Sequence, residues 1–170
     1  MNLQSSLDQI TATAVAEGTV VGGAVIVGQA GQTLYRHAFG MSDREAGHKA
    51  GFDTIYRLAS LTKPMVSLTA LALCDAGKLS LKDAVTDYLP YFTPRYKGTT
   101  PTIRLRHLLT HTAGLGYGYG PETGVSTGLA DDELDYETNF TRLAAQELLF
   151  EPGTRWEYSV GIDVLGRVIE

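Results

Sequence analysis

Ser60-Leu61-Thr62-Lys63-Pro64-Met65-Val66-Ser67-Leu68-Thr69-Ala70-Leu71-Ala72-Leu73-Cys74-Asp75-Ala76-Gly77 is the stretch on which the fold turns. Its Leu, Ala, Met and Val recur at helical spacing and Gly77 supplies a C-terminal stop, which predicts a helix over Ser60 to Ala76. Pro64 has no N–H to donate and fits only the first turn, so the helix must begin near Ser60 to Lys63. Ser60 therefore stands at a helix entrance with Lys63 one turn on, hydroxyl and amine on one face. First-turn N–H groups and the helix dipole favour an oxyanion there, and a desolvated lysine can serve as the base a serine needs. The plain alternative is a capping serine beside a solvated lysine, since a Ser-x-x-Lys arises by chance on the order of once in a chain of this length.

Outward from this helix, Leu3 to Glu17 carries apolar residues near helical spacing and ends at Gly18. Val20 to Val27 and Thr33 to Phe39 flank Gln29-Ala30-Gly31-Gln32 and predict an antiparallel hairpin with a glycine turn. Beyond it, Leu81 to Leu89, Arg104 to Leu109 and Leu143 to Phe150 are expected to be short helices, and Ala113 to Asp131 a glycine-rich loop. Pro152-Gly153 marks a turn, and a last helix is expected over Val160 to Glu170, capped by Ser159. Residues 1–50 thus form a helix and hairpin, and residues 51–170 a mostly helical part.

Composition narrows the function. The 170 residues are 44% hydrophobic and 19% charged, which suits a globular domain with a real core. Fourteen Lys and Arg against nineteen Asp and Glu give a net charge of -5 with no basic stripe, which argues against nucleic acid as a partner. No apolar run reaches the roughly 18 to 20 residues of a membrane span, and Met1 to Gly18 lacks the pattern of a secretory signal. Cytoplasmic residence is the default expectation, with a periplasmic or secreted mature form the alternative. One cysteine excludes an internal disulfide, and Cys74 reads as a small core residue. His37, His48, His107 and His111 lack metal-ligand spacing; His107 and His111, four apart, point to structural hydrogen bonding. No metal and no cofactor is expected.

Three blocks in order then carry a likeness: Tyr56-Arg57-Leu58-Ala59-Ser60-Leu61-Thr62-Lys63, Leu105-Arg106-His107-Leu108-Leu109-Thr110-His111-Thr112-Ala113-Gly114-Leu115, and Pro152-Gly153-Thr154-Arg155-Trp156-Glu157-Tyr158-Ser159. Together they resemble the serine β-lactamase and penicillin-binding-protein superfamily, and within it most closely the class C-like esterases called family VIII carboxylesterases. The resemblance implies an α/β fold of β-lactamase type, an antiparallel sheet flanked by helices plus an all-helical lobe, with the C-terminal strands lacking here. It implies Ser60 as the acylated nucleophile, Lys63 as its proton-accepting neighbour and Tyr158 as the tyrosine that relays the proton. Whether Lys63 or Tyr158 is the base stays open. Tyr117, Tyr119 and Trp156 are the candidate substrate-binding residues.

One departure bears on substrate. Where class C β-lactamases and carboxypeptidases have Tyr-x-Asn or Ser-x-Asn, this chain has Tyr158-Ser159-Val160, and valine cannot hydrogen-bond the amide side chain of a β-lactam. A decoy is Gly124-Val125-Ser126-Thr127-Gly128, which has the form of a nucleophile elbow but follows a Gly/Tyr loop rather than a strand. The expectation is a serine hydrolase cleaving small-molecule carboxylic esters through an acyl-enzyme on Ser60. A β-lactamase, a D-alanyl-D-alanine carboxypeptidase or an acyltransferase is the alternative within enzymes. A non-catalytic binding or sensor domain, unable to form a covalent serine adduct, is the alternative outside them. The resemblance also implies strands and a third motif after Tyr158 that do not occur here. The chain is therefore expected to be the N-terminal part of a larger protein, completed by its C-terminal part or by a second chain.

Overall fold

A computed structural model describes residues 2–126 and 135–170. The chain divides into two compact units, Met1–Arg57 and Leu58–Glu170.

The first unit opens with α1, Leu3–Ala16, whose entrance is capped by the Asn2 side chain accepting the Ser5 N–H at 2.9 Å. Gly18, with φ of 71°, ends it as expected. β1, Gly22–Gln29, pairs antiparallel with β2, Gln32–Asp43. Between them Ala30 and Gly31 both take left-handed φ, 48° and 79°, the geometry of a two-residue turn that matches strand twist. β2 runs past the expected Phe39, because it also pairs with a short β3, His48–Lys49, that its two residues were too few to reveal. Gly22 and Gly40 lie opposite each other, and a Cβ on either would collide with the facing backbone. α1 packs on β2, where the buried Tyr35 donates its hydroxyl to Asp8 at 2.7 Å.

The second unit begins with a 3₁₀ turn, Ala59–Leu61, that runs into α2, Thr62–Asp75. Pro64 sits in the first α-turn, where its missing donor costs nothing. α2 ends in a Schellman motif: Gly77, at φ 69°, donates to the Cys74 carbonyl and Lys78 to that of Leu73, both at 2.9 Å. Leu81 to Leu89 is not the helix expected, since only a 3₁₀ turn, Val85–Asp87, forms there. Asp83 and Asp87 instead accept backbone N–H groups of Ser80 and Ala84, a local alternative to helical bonds. α3, Leu105–Leu109, follows as expected.

The expected loop from Ala113 holds a 3₁₀ turn, Pro121–Thr123, and its part from Thr127 to Asp131 lies outside the described residues. The helix expected at Leu143 to Phe150 instead occupies Tyr136–Ala144, as α4. Asp135 caps it by accepting the Thr138 N–H, and Phe140 and Leu143, three apart, turn inward. α5, Gly161–Ile169, is the last element. Its Ile162, Val164, Leu165 and Val168 are buried, Val164 and Leu165 completely, in one core with Phe92, Leu105, Leu108 and Leu143. Each such side chain contributes about 1.5–3 kcal/mol of transfer free energy. α5 packs on both α2 and α3.

Candidate active site

Ser60 lies in the 3₁₀ turn that enters α2, and Ala59 before it has φ of 45°. For a residue with a Cβ that conformation costs about 1–2 kcal/mol, so the chain reaches Ser60 through a strained corner. One turn on, the Lys63 ammonium donates to Ser60 Oγ at 3.3 Å. The hydroxyl of Tyr158, in the extended segment before α5, lies 2.8 Å from the same Oγ.

The residues after α3 hold Tyr158 in place. Glu157 donates its N–H to the His111 carbonyl at 2.9 Å and Val160 to that of Gly116 at 3.1 Å, so the chain is tied down on both sides of Tyr158. Gly153 donates to Thr112 and Leu149 to Gly114, both at 2.8 Å. Gly114, at φ 83°, approaches the Phe150 carbonyl so closely that a Cβ would not fit. These backbone bonds set the second and third sequence blocks side by side.

The Tyr158 ring is packed by His111 at 4.8 Å and Tyr117 at 5.4 Å between centroids. Lys63 Nζ lies 5.1 Å from the Tyr158 ring centre and 5.6 Å from that of Tyr117. Hydrogen bonding to the Ser60 hydroxyl, then to Lys63, together with the Lys63 charge, holds the Tyr158 phenol below its ordinary value. Burial and the Asp163 carboxylate act against this. Burial, then the Lys63 charge, pushes His111 down from its ordinary value, with Asp163 again opposing. The site thus contains a serine hydroxyl between a cation that donates to it and a phenol biased toward its anion.

Of the other sequence candidates, Tyr117 stands beside Tyr158. The Tyr119 hydroxyl accepts the Gly116 N–H at 3.1 Å, which braces the loop, and Trp156 is exposed, its ring 6.2 Å from that of His111 and inclined to it by 78°. Ser126 belongs to a different place: its N–H donates to Asn139 Oδ1 and its carbonyl accepts from Asn139 Nδ2, both at 2.8 Å. Thr127 and Gly128 of that pentapeptide lie outside the described residues. His107 is buried and accepts the Arg104 N–H on Nδ1, as a structural histidine does. Cys74 is half-buried on α2. Among the described residues no group of three or more His, Cys, Asp or Glu is placed to hold a metal ion. Sequence reasoning missed two features of the site, the strained Ala59 and the contact of His111 with Tyr158. Neither has a compositional signal, because one is a backbone conformation and the other a contact across 47 residues of chain.

The Beta-lactamase family model matches residues 7–170. The chain is 44% identical over 177 residues to esterase EstB of Burkholderia gladioli, a match covering 99% of this chain and 45% of that protein. Among solved structures it superposes on EstCE1, described as a hydrolase with promiscuous acyltransferase activity, with a TM-score of 0.90 and 39% identity. That match covers 95% of this chain and 45% of the other. A class C beta lactamase, 21% identical, shares the fold with a TM-score of 0.75 over 97% of this chain and 43% of that one. The chain therefore spans less than half the length of the relatives it matches.

Proposed function

The chain belongs to the beta-lactamase family, and from that premise we propose that its site serves the hydrolysis of carboxylic esters through an acyl-enzyme on Ser60. The observation that carries the reading is the placement of Ser60 Oγ 2.8 Å from the Tyr158 hydroxyl and 3.3 Å from Lys63 Nζ. Tyr158 as phenolate takes the serine proton while Oγ attacks the ester carbonyl. The same proton then goes to the departing alkoxide, and water repeats the cycle on the acyl-enzyme. Lys63, 3.3 Å from Ser60 Oγ, stabilises the phenolate and the developing oxyanion by charge. Val160, at the position of the asparagine in the β-lactam-cleaving relatives, is buried and offers no side-chain hydrogen bond to an amide. The reading accordingly ranks p-nitrophenyl butyrate above nitrocefin as a substrate. EstB bears the name esterase and EstCE1 that of a hydrolase, which favours the same chemistry.

Intact mass spectrometry after exposure to a fluorophosphonate tests the proposal. One phosphonyl adduct is expected in the natural chain and in Ser126→Ala, and none in Ser60→Ala. An adduct that survives Ser60→Ala and disappears with Ser126→Ala would overturn the assignment.

A further inference from the structure

His111 occupies a position that its side chain does not suit. α3 ends in a Schellman motif in which Thr112 donates to the His107 carbonyl at 2.9 Å and His111 to that of Leu108 at 3.3 Å. His111, at φ 55°, therefore stands at the left-handed position where the α2 terminus has Gly77. Glycine and asparagine are the residues that fit such a position with least strain. A histidine held there has a side chain with another task.

That task is visible in its contacts. The backbone N–H of Ser159 donates to His111 Nδ1 at 3.2 Å, which fixes Nδ1 as an acceptor and places the ring proton on Nε2. Ser159 Oγ lies 3.2 Å from the same nitrogen and itself accepts the N–H of Gly161, the first residue of α5. Ser159 is 1% exposed, so with His111 in place its N–H is shielded from bulk water. The His111 carbonyl meanwhile accepts from Glu157. One residue therefore holds the backbone immediately before and immediately after Tyr158.

We propose that His111 is a positioning residue, whose Nδ1, by accepting the Ser159 N–H, holds the Tyr158 hydroxyl at Ser60. The proposal rests on the esterase reading for its kinetic consequence but not for its geometry. Without the acceptor, the buried Ser159 N–H must find a new partner, and the shift carries Tyr158 away from Ser60 and Lys63.

The variants His111→Gly and His111→Asn separate this role from a backbone one. Both suit a left-handed φ, and only asparagine keeps an acceptor, Oδ1, where the histidine has Nδ1. The full chain labelled with [13Cζ]tyrosine, with the Tyr158 signal assigned by Tyr158→Phe, reports the phenol titration independently of activity. In His111→Gly the Tyr158 midpoint should return toward 10.0 and fluorophosphonate labelling should slow by about ten- to a hundredfold, the equivalent of one unpaired buried donor. His111→Asn should retain the natural midpoint and label within about threefold of the natural rate. Equal behaviour of the two variants overturns the inference, because a purely structural terminus accepts both alike. If the natural chain forms no adduct while the two variants still differ in the Tyr158 titration, the esterase reading fails and the role of His111 stands.

Discussion

Ser60 receives a hydrogen bond from Lys63 and shares one with Tyr158, and the two neighbours have different duties in the proposed reaction. Replacing Tyr158 by Phe removes the group proposed to take the proton, and Lys63→Met removes a charge that favours its anion. Either change should lower the rate of Ser60 labelling by roughly two to four powers of ten, the scale of general acid–base catalysis. Stopped-flow or timed mass spectrometry measures this, and a near-natural rate in either variant would place the proton path elsewhere. In the sequence Ser60 and Lys63 stand out by their spacing at a helix entrance and Tyr158 only through the likeness of its block; the fold brings the three side chains within hydrogen-bond reach. Ala59 and His111 do not stand out: alanine at φ 45° and histidine at φ 55° look like any other alanine and histidine until the backbone is drawn. The role of Tyr119 was equally hidden, since only the fold brings its hydroxyl to the Gly116 N–H.

Elements with a sharp stop or a long periodic face lie where the sequence puts them, whereas α4 does not. α2 has Pro64 at one end and Gly77 at the other, and both limits fell where expected. α4 was shifted because its start is signalled by a single capping Asp135, while the apolar run Leu148-Leu149-Phe150 after it attracts a helical reading. α3 has only five residues, and its entrance is held locally by buried His107, whose Nδ1 accepts the Arg104 N–H at 3.2 Å. Burial, then the charges of Arg106 and Arg104, lowers His107 from its ordinary 6.5. The sign follows from linkage: below 6.5 the unfolded chain binds protons that the folded one resists. The stability contribution is therefore full above pH 6.5 and is lost as pH falls through the lower folded value. Urea unfolding at pH 7.5 and pH 5 should show the loss. His107→Asn, which keeps an acceptor and does not titrate, should flatten that dependence. An unchanged slope in the variant would assign the acid sensitivity to other groups.

Across the whole molecule, burial is uneven. In the second unit the core around Leu108, Val164 and Leu165 is closed, yet α2 leaves Leu61, Met65, Leu68 and Leu71 between 42% and 69% exposed. Spacings of three and four place these residues on one side of the helix, so they form a stripe rather than scattered points. In the first unit Ile26 and Leu34 are likewise exposed on the hairpin, and a sheet of three strands, one of them two residues long, has little apolar area with which to hold itself. The relatives this chain matches carry more than half their length outside the part it spans. A stripe of this kind is sticky in water whatever the site can do. The 170-residue chain by itself should therefore bind the dye ANS and elute larger than a monomer in size-exclusion chromatography at micromolar concentration. Leu68→Lys places a charge in the middle of the stripe at a side chain that is 66% exposed. It should shift elution toward the monomer and weaken dye binding while changing unfolding free energy by no more than about 0.5 kcal/mol. A monomeric natural chain without dye binding, or a large loss of stability in Leu68→Lys, would mean that the chain itself already covers the α2 stripe in solution.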